Sequence, residues 1–117
     1  MNKASTIRIA SWNVRGLRNL QKQQAVLRCF QEEDLDILCL QETWLNRASC
    51  LEWEDNVRKE ELWSFSTTQK SNDTKGEGVT VVVRKKHIVN VQVMLKQHWA
   101  DNSVALLIHV RPNSKKD

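Results

Sequence analysis

The feature that most constrains the fold is a run of four apolar residues, Ile37 to Leu40, with no polar position inside it. Such a run is typical of a strand covered on both faces, and it predicts a strand over residues 35–41. Apolar residues recur near helical spacing over residues 19–33, which Asn19 opens as a candidate N-cap, and residues 6–14 have the composition of a strand. Strand, helix and buried strand in this order predict a βαβ unit with parallel strands.

The rest of the chain predicts a second helix and further strands. Charged residues with apolar positions at helical spacing predict a helix over residues 47–61. Segments rich in β-branched or aromatic residues predict strands over residues 62–68, 78–84, 89–95 and 104–110, and polar residues 70–77 predict an exposed loop. We therefore expect an α/β fold in which a mixed β-sheet has a βαβ opening followed by antiparallel strands.

The composition excludes several classes of protein. A hydrophobic fraction of 40%, three Gly and one Pro exclude a disordered or collagen-like chain. Three widely spaced cysteines without a CxxC pair suggest neither a disulfide framework nor a zinc knuckle, and they favour a reducing compartment. Because no segment has the length of a membrane span or the pattern of a signal peptide, we expect an intracellular protein without a membrane partner. Nucleus and cytoplasm are not distinguished.

Two polar residues occupy equivalent places beyond the first two strands. Asn13 and Glu42 each follow the apolar part of a strand, and the carboxyl ends of parallel strands meet at one edge of a sheet, where α/β proteins bind ligands. An amide can donate to a phosphate oxygen and a carboxylate can bind Mg²⁺, so the pair suits one half of a metal-assisted phosphodiester site. On spacing alone a structural interpretation remains open, in which Asn13 makes a turn bond and Glu42 caps the next segment.

Three segments resemble a known family: IRIASWNVRGL, LDILCLQETWL and GEGVTVVVRKK. In this order they are similar to the N-terminal half of the endonuclease/exonuclease/phosphatase family, and most similar to the apurinic-type endonuclease domain of LINE-like retrotransposons. The resemblance implies half of a four-layered α/β sandwich over residues 6–111, between an N-terminal tail (1–5) and a polar tail (112–117). It implies that Asn13 holds the scissile phosphate and the attacking water, that Glu42 binds Mg²⁺, and that the reaction is hydrolytic nicking of DNA.

The later motifs of that family are missing here. The family supplies an active-site Tyr, an Asp-x-Asn pair and a final Asp-His pair, whereas this chain has no Tyr and neither pair. Since general-base chemistry needs a positioned proton acceptor, we expect a truncated endonuclease-like domain of retrotransposon origin that lacks turnover by itself. Two alternatives stay open: a non-catalytic nucleic-acid or protein-binding remnant, and an enzyme completed by a second chain.

Residues near the predicted edge are candidates for contact with DNA, which the net charge of +4 also favours. Arg15 and Arg18 lie in the loop after Asn13, and Trp44 comes two residues after Glu42, so these three are the predicted nucleic-acid contacts.

Trp12 is predicted to be buried, and the basic turn over residues 84–87 is predicted to be a solvated hairpin. Half of a sandwich leaves one sheet face uncovered, which predicts self-association through that face.

Overall fold

The computed structural model describes residues 6–67, 78–100 and 103–112. Four strands form a mixed sheet in the order β1-β2-β4-β3, and two longer strands form a separate hairpin, β5-β6. The elements in chain order are β1 (Ile9–Asn13), α1 (Leu20–Glu32), β2 (Ile37–Gln41), α2 (Arg47–Lys59), β3 (Leu62–Ser66), β4 (Val79–Arg84), a 3₁₀ turn (Lys85–His87), β5 (Ile88–Ala100) and β6 (Ser103–Pro112).

The pairing confirms the predicted α/β architecture. β1 and β2 are parallel neighbours joined by α1, and β4 runs antiparallel to both β2 and β3. The largest differences from the predicted elements are in the hairpin, where β5 continues to Ala100 and β6 includes Pro112, the first residue of the predicted tail. The predicted loop over residues 70–77 and the tails over residues 1–5 and 113–117 lie outside the described residues.

Both helices begin at asparagine caps. The Asn19 side chain accepts a hydrogen bond from the backbone N–H of Lys22 at 3.1 Å, as the sequence predicts for α1. The cap of α2 is Asn46, whose Oδ1 accepts from the backbone N–H of Ser49 at 2.9 Å while the Ser49 hydroxyl accepts from the backbone N–H of Asn46 at 3.0 Å. This reciprocal box fixes the start of α2 a few residues after β2.

The two helices cover one face of the four-stranded sheet. Alternation along β2 directs Leu38 and Leu40 to this face, where they join a core that contains the fully buried Phe30 and Trp53. The indole Nε1 of Trp53 donates to the Ser64 hydroxyl at 2.8 Å, so the largest core side chain also has its polar atom satisfied. The remaining members are Val14, Leu17, Val26, Leu27, Leu35, Leu45, Cys50, Val57, Leu62 and Val82.

The opposite face is covered in part by the β5-β6 hairpin. Ile37, Val81 and Val83 are buried there, and they pack with Ile88 of the hairpin. Other apolar residues of the sheet and the hairpin are only partly buried against this cluster: Ile7, Cys39, Trp63, Phe65, Val91, Ile108 and Val110. The expectation of an uncovered face is therefore wrong for the β2-β4 part of the sheet, because the long hairpin packs on it.

Trp12 does not lie in the core, contrary to the sequence prediction. Trp12 is 38% exposed, and β1, on which it lies, is the outermost strand of the sheet among the described strands. Ile9, on the opposite face of the same strand, is 63% exposed. Edge position depends on strand order, which the local sequence pattern does not contain.

Cys39 provides a test of how well the hairpin protects the second face. Burial raises the pKa of its thiol. Because the thiolate is the reactive form, a raised pKa leaves a smaller reactive fraction at any given pH. We expect iodoacetamide to modify Cys39 more slowly in the folded protein than in urea, with the rate rising to its plateau at higher pH. Peptide mass spectrometry from pH 7 to 10 measures both profiles, and coincident profiles would contradict the prediction.

Within the described residues, no helix combines the length and apolar character that crossing a lipid bilayer requires.

Candidate functional site

Asn13 and Glu42 lie together at the carboxyl ends of β1 and β2. Asn13 pairs with Gln41 in the parallel register, so Glu42 follows directly beyond the same edge. The amide Nδ2 of Asn13 donates to Oε2 of Glu42 at 2.6 Å. Asn13 is exposed and Glu42 is half-buried, so the pair opens to solvent. The geometry brings together the two groups that the strand spacing selected.

Asn13 also makes the turn bond that the structural interpretation predicts, and it does so through its side-chain oxygen. The side-chain Oδ1 accepts from the backbone N–H of Arg15 at 3.1 Å, which closes a turn after β1. One end of the amide therefore fixes the loop while the other end contacts the Glu42 carboxylate. Glu42 itself caps no helix, because Asn46 occupies the N-cap of α2.

Backbone hydrogen bonds continue the parallel pairing beyond both strands. The N–H groups of Val14, Gly16 and Leu17 donate to the carbonyls of Gln41, Glu42 and Thr43, at 3.0, 2.7 and 2.8 Å. This main-chain ladder joins the loop after β1 to the loop after β2. The Asn13 and Glu42 side chains therefore project from backbone that main-chain hydrogen bonds between the two loops hold in place.

Several residues of these loops have left-handed backbone conformations. The φ angles are 50° at Arg15, 55° at Glu42 and 58° at Trp44. Gly16, which directly follows Arg15, has a φ angle of 100°. Residues other than glycine rarely adopt this backbone conformation, and they keep it only where the surrounding contacts fix it. The ladder and the packing of Trp44 supply such contacts here.

Trp44 packs directly on Gly16. A Cβ atom added to Gly16 would lie 2.5 Å from Cε3 of the indole, so glycine alone leaves room for the ring. Arg18 also contacts Trp44, since its Nε donates to the Trp44 carbonyl. Of the three predicted nucleic-acid contacts, Trp44 and Arg18 thus take part in joining the two loops, whereas the Arg15 side chain is exposed beside Asn13.

The start of β4 also contacts the loop after β2, through residues that the sequence analysis did not select. The N–H of Thr43 donates to the carbonyl of Gly78 at 3.2 Å, just before β4. Gly78 has φ 105°, and a Cβ atom there would lie 2.6 Å from the Thr43 hydroxyl oxygen. The available signal was the glycine that immediately precedes a β-branched strand, but its partner is remote in the sequence.

The basic turn over residues 84–87 is only in part a solvated hairpin. Arg84 is half-buried, donates to the Leu35 carbonyl at 2.8 Å and to Gln31 Oε1 at 3.0 Å, and lies 4.9 Å from the centre of the Phe30 ring. Its role is to join β4 to the end of α1. Lys85 and Lys86 are exposed, as predicted.

Comparison with known proteins gives the family. The sequence model of the endonuclease/exonuclease/phosphatase family matches residues 10–108, which contain the site and the six described strands except Ile9 of β1 and residues 109–112 of β6. The chain belongs to this family. A curated relative, an exodeoxyribonuclease of Bacillus subtilis (strain 168), is 49% identical over 37 residues, which make up 32% of this chain and 15% of that enzyme.

Two solved structures of the endonuclease/exonuclease/phosphatase fold are also similar. The 3′ phosphatase NExo from Neisseria, bound to a product DNA hairpin, matches with a TM-score of 0.57 and 23% identity over 77% of this chain and 32% of its own. The 2′,3′-cyclic phosphatase ANGEL2, in complex with adenosine-2′,3′-vanadate, matches with a TM-score of 0.59 and 15% identity over 89% of this chain and 36% of its own. At these identities the likeness shows the fold. The chain spans about a third of each structure.

Members of this family typically use a divalent metal ion, and the donor set here suits a partial site. Over residues 6–67, 78–100 and 103–112, no group of three or more His, Cys, Asp or Glu side chains is arranged to hold a metal. Glu42 provides one carboxylate, which is open to solvent beside the Asn13 amide. Mg²⁺ commonly takes one or two carboxylates and completes its shell with water and substrate phosphate, so Glu42 fits as one ligand.

Proposed function

We propose that this chain is the N-terminal half of a Mg²⁺-dependent DNA endonuclease-like domain of LINE retrotransposon origin, and that it lacks turnover by itself. The observation that carries the proposal is the 2.6 Å hydrogen bond between Asn13 and Glu42 at the carboxyl ends of two parallel strands. The motifs WNVRGL and LQETWL, which contain these residues, support the retrotransposon relationship because they resemble the openings of LINE-like endonucleases.

Each residue of the pair has a distinct task in this proposal. Glu42 would bind Mg²⁺. Its half-buried position and its left-handed backbone would restrict the directions in which the carboxylate can point. Asn13 would present its Nδ2 donor to a phosphate oxygen, since its Oδ1 is engaged by the N–H of Arg15. A bound Mg²⁺ stabilises the negative charge that develops on a reacting phosphate.

DNA is the proposed partner, and the loop after β1 is the proposed contact. Arg15 is exposed two residues beyond Asn13, where a guanidinium can reach a backbone phosphate. Arg18 and Trp44 would contribute by holding the loop in shape. Because phosphate contacts release counterions, binding to DNA should weaken steeply as salt is raised.

The absence of turnover follows from the groups that the sequence lacks. The chain contains no Tyr, Asp-x-Asn pair or Asp-His pair, and these are the further active-site groups that the family resemblance implies. A metal ligand and one amide can bind a phosphodiester but do not supply the proton acceptor that activates water.

Metal binding by Glu42 is tested with two matched variants. We expect Glu42→Gln to weaken Mn²⁺ or Mg²⁺ binding at least about tenfold, because Mg²⁺ sites are built on carboxylates. Glu61→Gln is the control, since Glu61 has nearly the same backbone conformation (φ 59° against 55°) but lies before β3, away from the site. Isothermal titration and Mn²⁺ electron paramagnetic resonance measure the affinity. Equal affinities for Glu42→Gln and the wild type would contradict the proposal.

Nicking and DNA-binding assays separate the alternatives. We expect purified protein with Mg²⁺ not to nick supercoiled plasmid. Nicking that Glu42→Ala abolishes would instead favour an enzyme completed by a second chain. A filter-binding titration across salt measures DNA affinity: binding without metal affinity would favour a non-catalytic nucleic-acid-binding remnant, and no binding at low salt would exclude DNA as the partner.

A further inference from the structure

Gln23 is a polar side chain inside the helix-covered core. It lies near the start of α1, is 0% exposed and is one of the largest fully buried side chains among the described residues. Glutamine is mostly exposed in proteins, and an amide that is buried without hydrogen bonds costs free energy. Since an apolar side chain of the same length could fill this space, the amide itself needs an explanation.

Both ends of the Gln23 amide contact other elements. Its Nε2 donates to the Leu17 carbonyl at 2.9 Å and lies 3.5 Å from Oε1 of Glu52 on α2. Its Oε1 accepts from Nδ2 of Asn56, also on α2, at 2.9 Å. The orientation of the amide follows from Leu17, because a carbonyl oxygen only accepts and the Gln23 nitrogen must therefore face it. Gln23 thus links the loop after β1 to both helices.

The Leu17 peptide connects this link to the candidate site. Its N–H makes the last bond of the main-chain ladder, to the Thr43 carbonyl at 2.8 Å. Leu17 is 0% exposed and lies between β1 and α1, so its carbonyl is outside the regular hydrogen bonds of both elements. A buried carbonyl without a partner is costly, and the Gln23 amide supplies the partner. The loop after β2 therefore holds one side of Leu17 and Gln23 holds the other.

We propose that Gln23 is a positioning residue for the Asn13–Glu42 pair. Its amide holds the Leu17 peptide in place and thereby keeps the main-chain ladder between the two loops closed. The ladder ends at Thr43, which directly follows Glu42, so a shift of Leu17 would be passed to the backbone that carries the carboxylate. The effect of Gln23 on the loops does not depend on the proposed function, whereas its effect on Mg²⁺ binding rests on it.

Amide hydrogen exchange of the full chain, measured by NMR, tests the hold on the loop. Gln23→Met keeps the length of the side chain and removes the donor, so the Leu17 N–H should exchange at least about tenfold faster than in the wild type. The N–H groups of the core residues Val57 and Val82 should change by less than about twofold, because the opening is local. Gln24→Met is the control, since Gln24 is the next residue of α1 and is exposed, and it should leave these rates unchanged.

The wild type offers a measurement that needs no variant. The side-chain NH₂ of Gln23 should exchange at least about a hundredfold more slowly than that of Gln24, because only the first is buried and hydrogen-bonded to Leu17. Equal rates for the two side chains would overturn the proposal. If circular dichroism shows that Gln23→Met does not fold, this comparison decides.

The exchange rates also separate a positioning role from a general loss of stability. An unchanged Leu17 rate in Gln23→Met overturns the proposal. Acceleration of Leu17, Val57 and Val82 by the same factor overturns it as well, because it would show global destabilisation without a local hold on the loop.

Mn²⁺ affinity, measured by electron paramagnetic resonance, tests the effect on the pair. We expect Gln23→Met to weaken Mn²⁺ binding by about threefold or more, because groups that orient a ligand tune its metal, while Gln24→Met keeps the wild-type affinity. Wild-type affinity in Gln23→Met, where Glu42→Gln has lost it, would overturn the positioning role. If Glu42→Gln keeps its affinity, the proposed function is wrong, and the exchange rates alone decide the role of Gln23.

Discussion

Gly16→Ala is expected to destabilise the fold by about 3 kcal/mol, because it combines backbone strain with a steric overlap. Gly16 has φ 100°, a conformation that alanine adopts only with strain. The new Cβ would also lie 2.5 Å from Cε3 and 2.7 Å from Cζ3 of Trp44. An indole is rigid and cannot withdraw as the end of a flexible side chain can, so the loop after β1 must move away from the loop after β2.

The movement would break the main-chain bond from Gly16 to Glu42, which is 2.7 Å long. For a domain of this size the melting temperature should fall by about 10 °C, as measured by circular dichroism. The double variant Gly16→Ala, Trp44→Ala is the control, because removing the ring relieves the overlap but not the strain. It should lose less than the sum of the two single variants. A melting temperature of Gly16→Ala equal to that of the wild type would show that the indole does not pack on this glycine.

Trp53→Ala is expected to cost about 3–5 kcal/mol, the largest effect of a single substitution among the described core residues. Trp53 is 0% exposed between the helices and the sheet, so its removal leaves a cavity. The Ser64 hydroxyl also loses the indole N–H that donates to it at 2.8 Å. Since total stability of small domains is only about 5–15 kcal/mol, most of the folding free energy could be lost.

Two further tryptophan variants separate packing from hydrogen bonding. Trp53→Phe keeps most of the apolar contacts and loses the bond to Ser64, so we expect a smaller loss than for alanine. Trp63→Ala is the matched control on the other face of the sheet, where Trp63 is only partly buried. Urea denaturation followed by circular dichroism gives the unfolding free energy of each variant. A larger loss for Trp63→Ala than for Trp53→Ala would contradict the assignment of the main core to the helix-covered face.

Local patterns were sufficient to predict the elements and the position of the pair. The apolar run from Ile37 to Leu40 identified β2, and Asn19 identified the start of α1. In two parallel strands joined by a helix, the residues just beyond the carboxyl ends lie at the same edge of the sheet, which is why the sequence predicts that Asn13 and Glu42 lie together. Prediction succeeded where one short segment determines the outcome.

Features that depend on distant residues were not predicted. Trp12 was expected in the core because the pattern of β1 does not reveal that the strand ends the sheet. Arg84 was expected to be solvated, but it bonds to Gln31 and Leu35, which lie about fifty positions earlier. The contact between Gly16 and Trp44 joins two loops. A single glycine after a strand does not indicate which distant residue packs on it.

The main-chain ladder between the two loops has a consequence for how this sequence can diverge. Its three bonds run from backbone N–H to backbone carbonyl, so nearly any side chain can stand at Val14, Leu17 or Thr43 as far as these bonds are concerned. A change of side chain at Asn13 or Glu42 would therefore remove a reactive group and leave these three main-chain bonds in place.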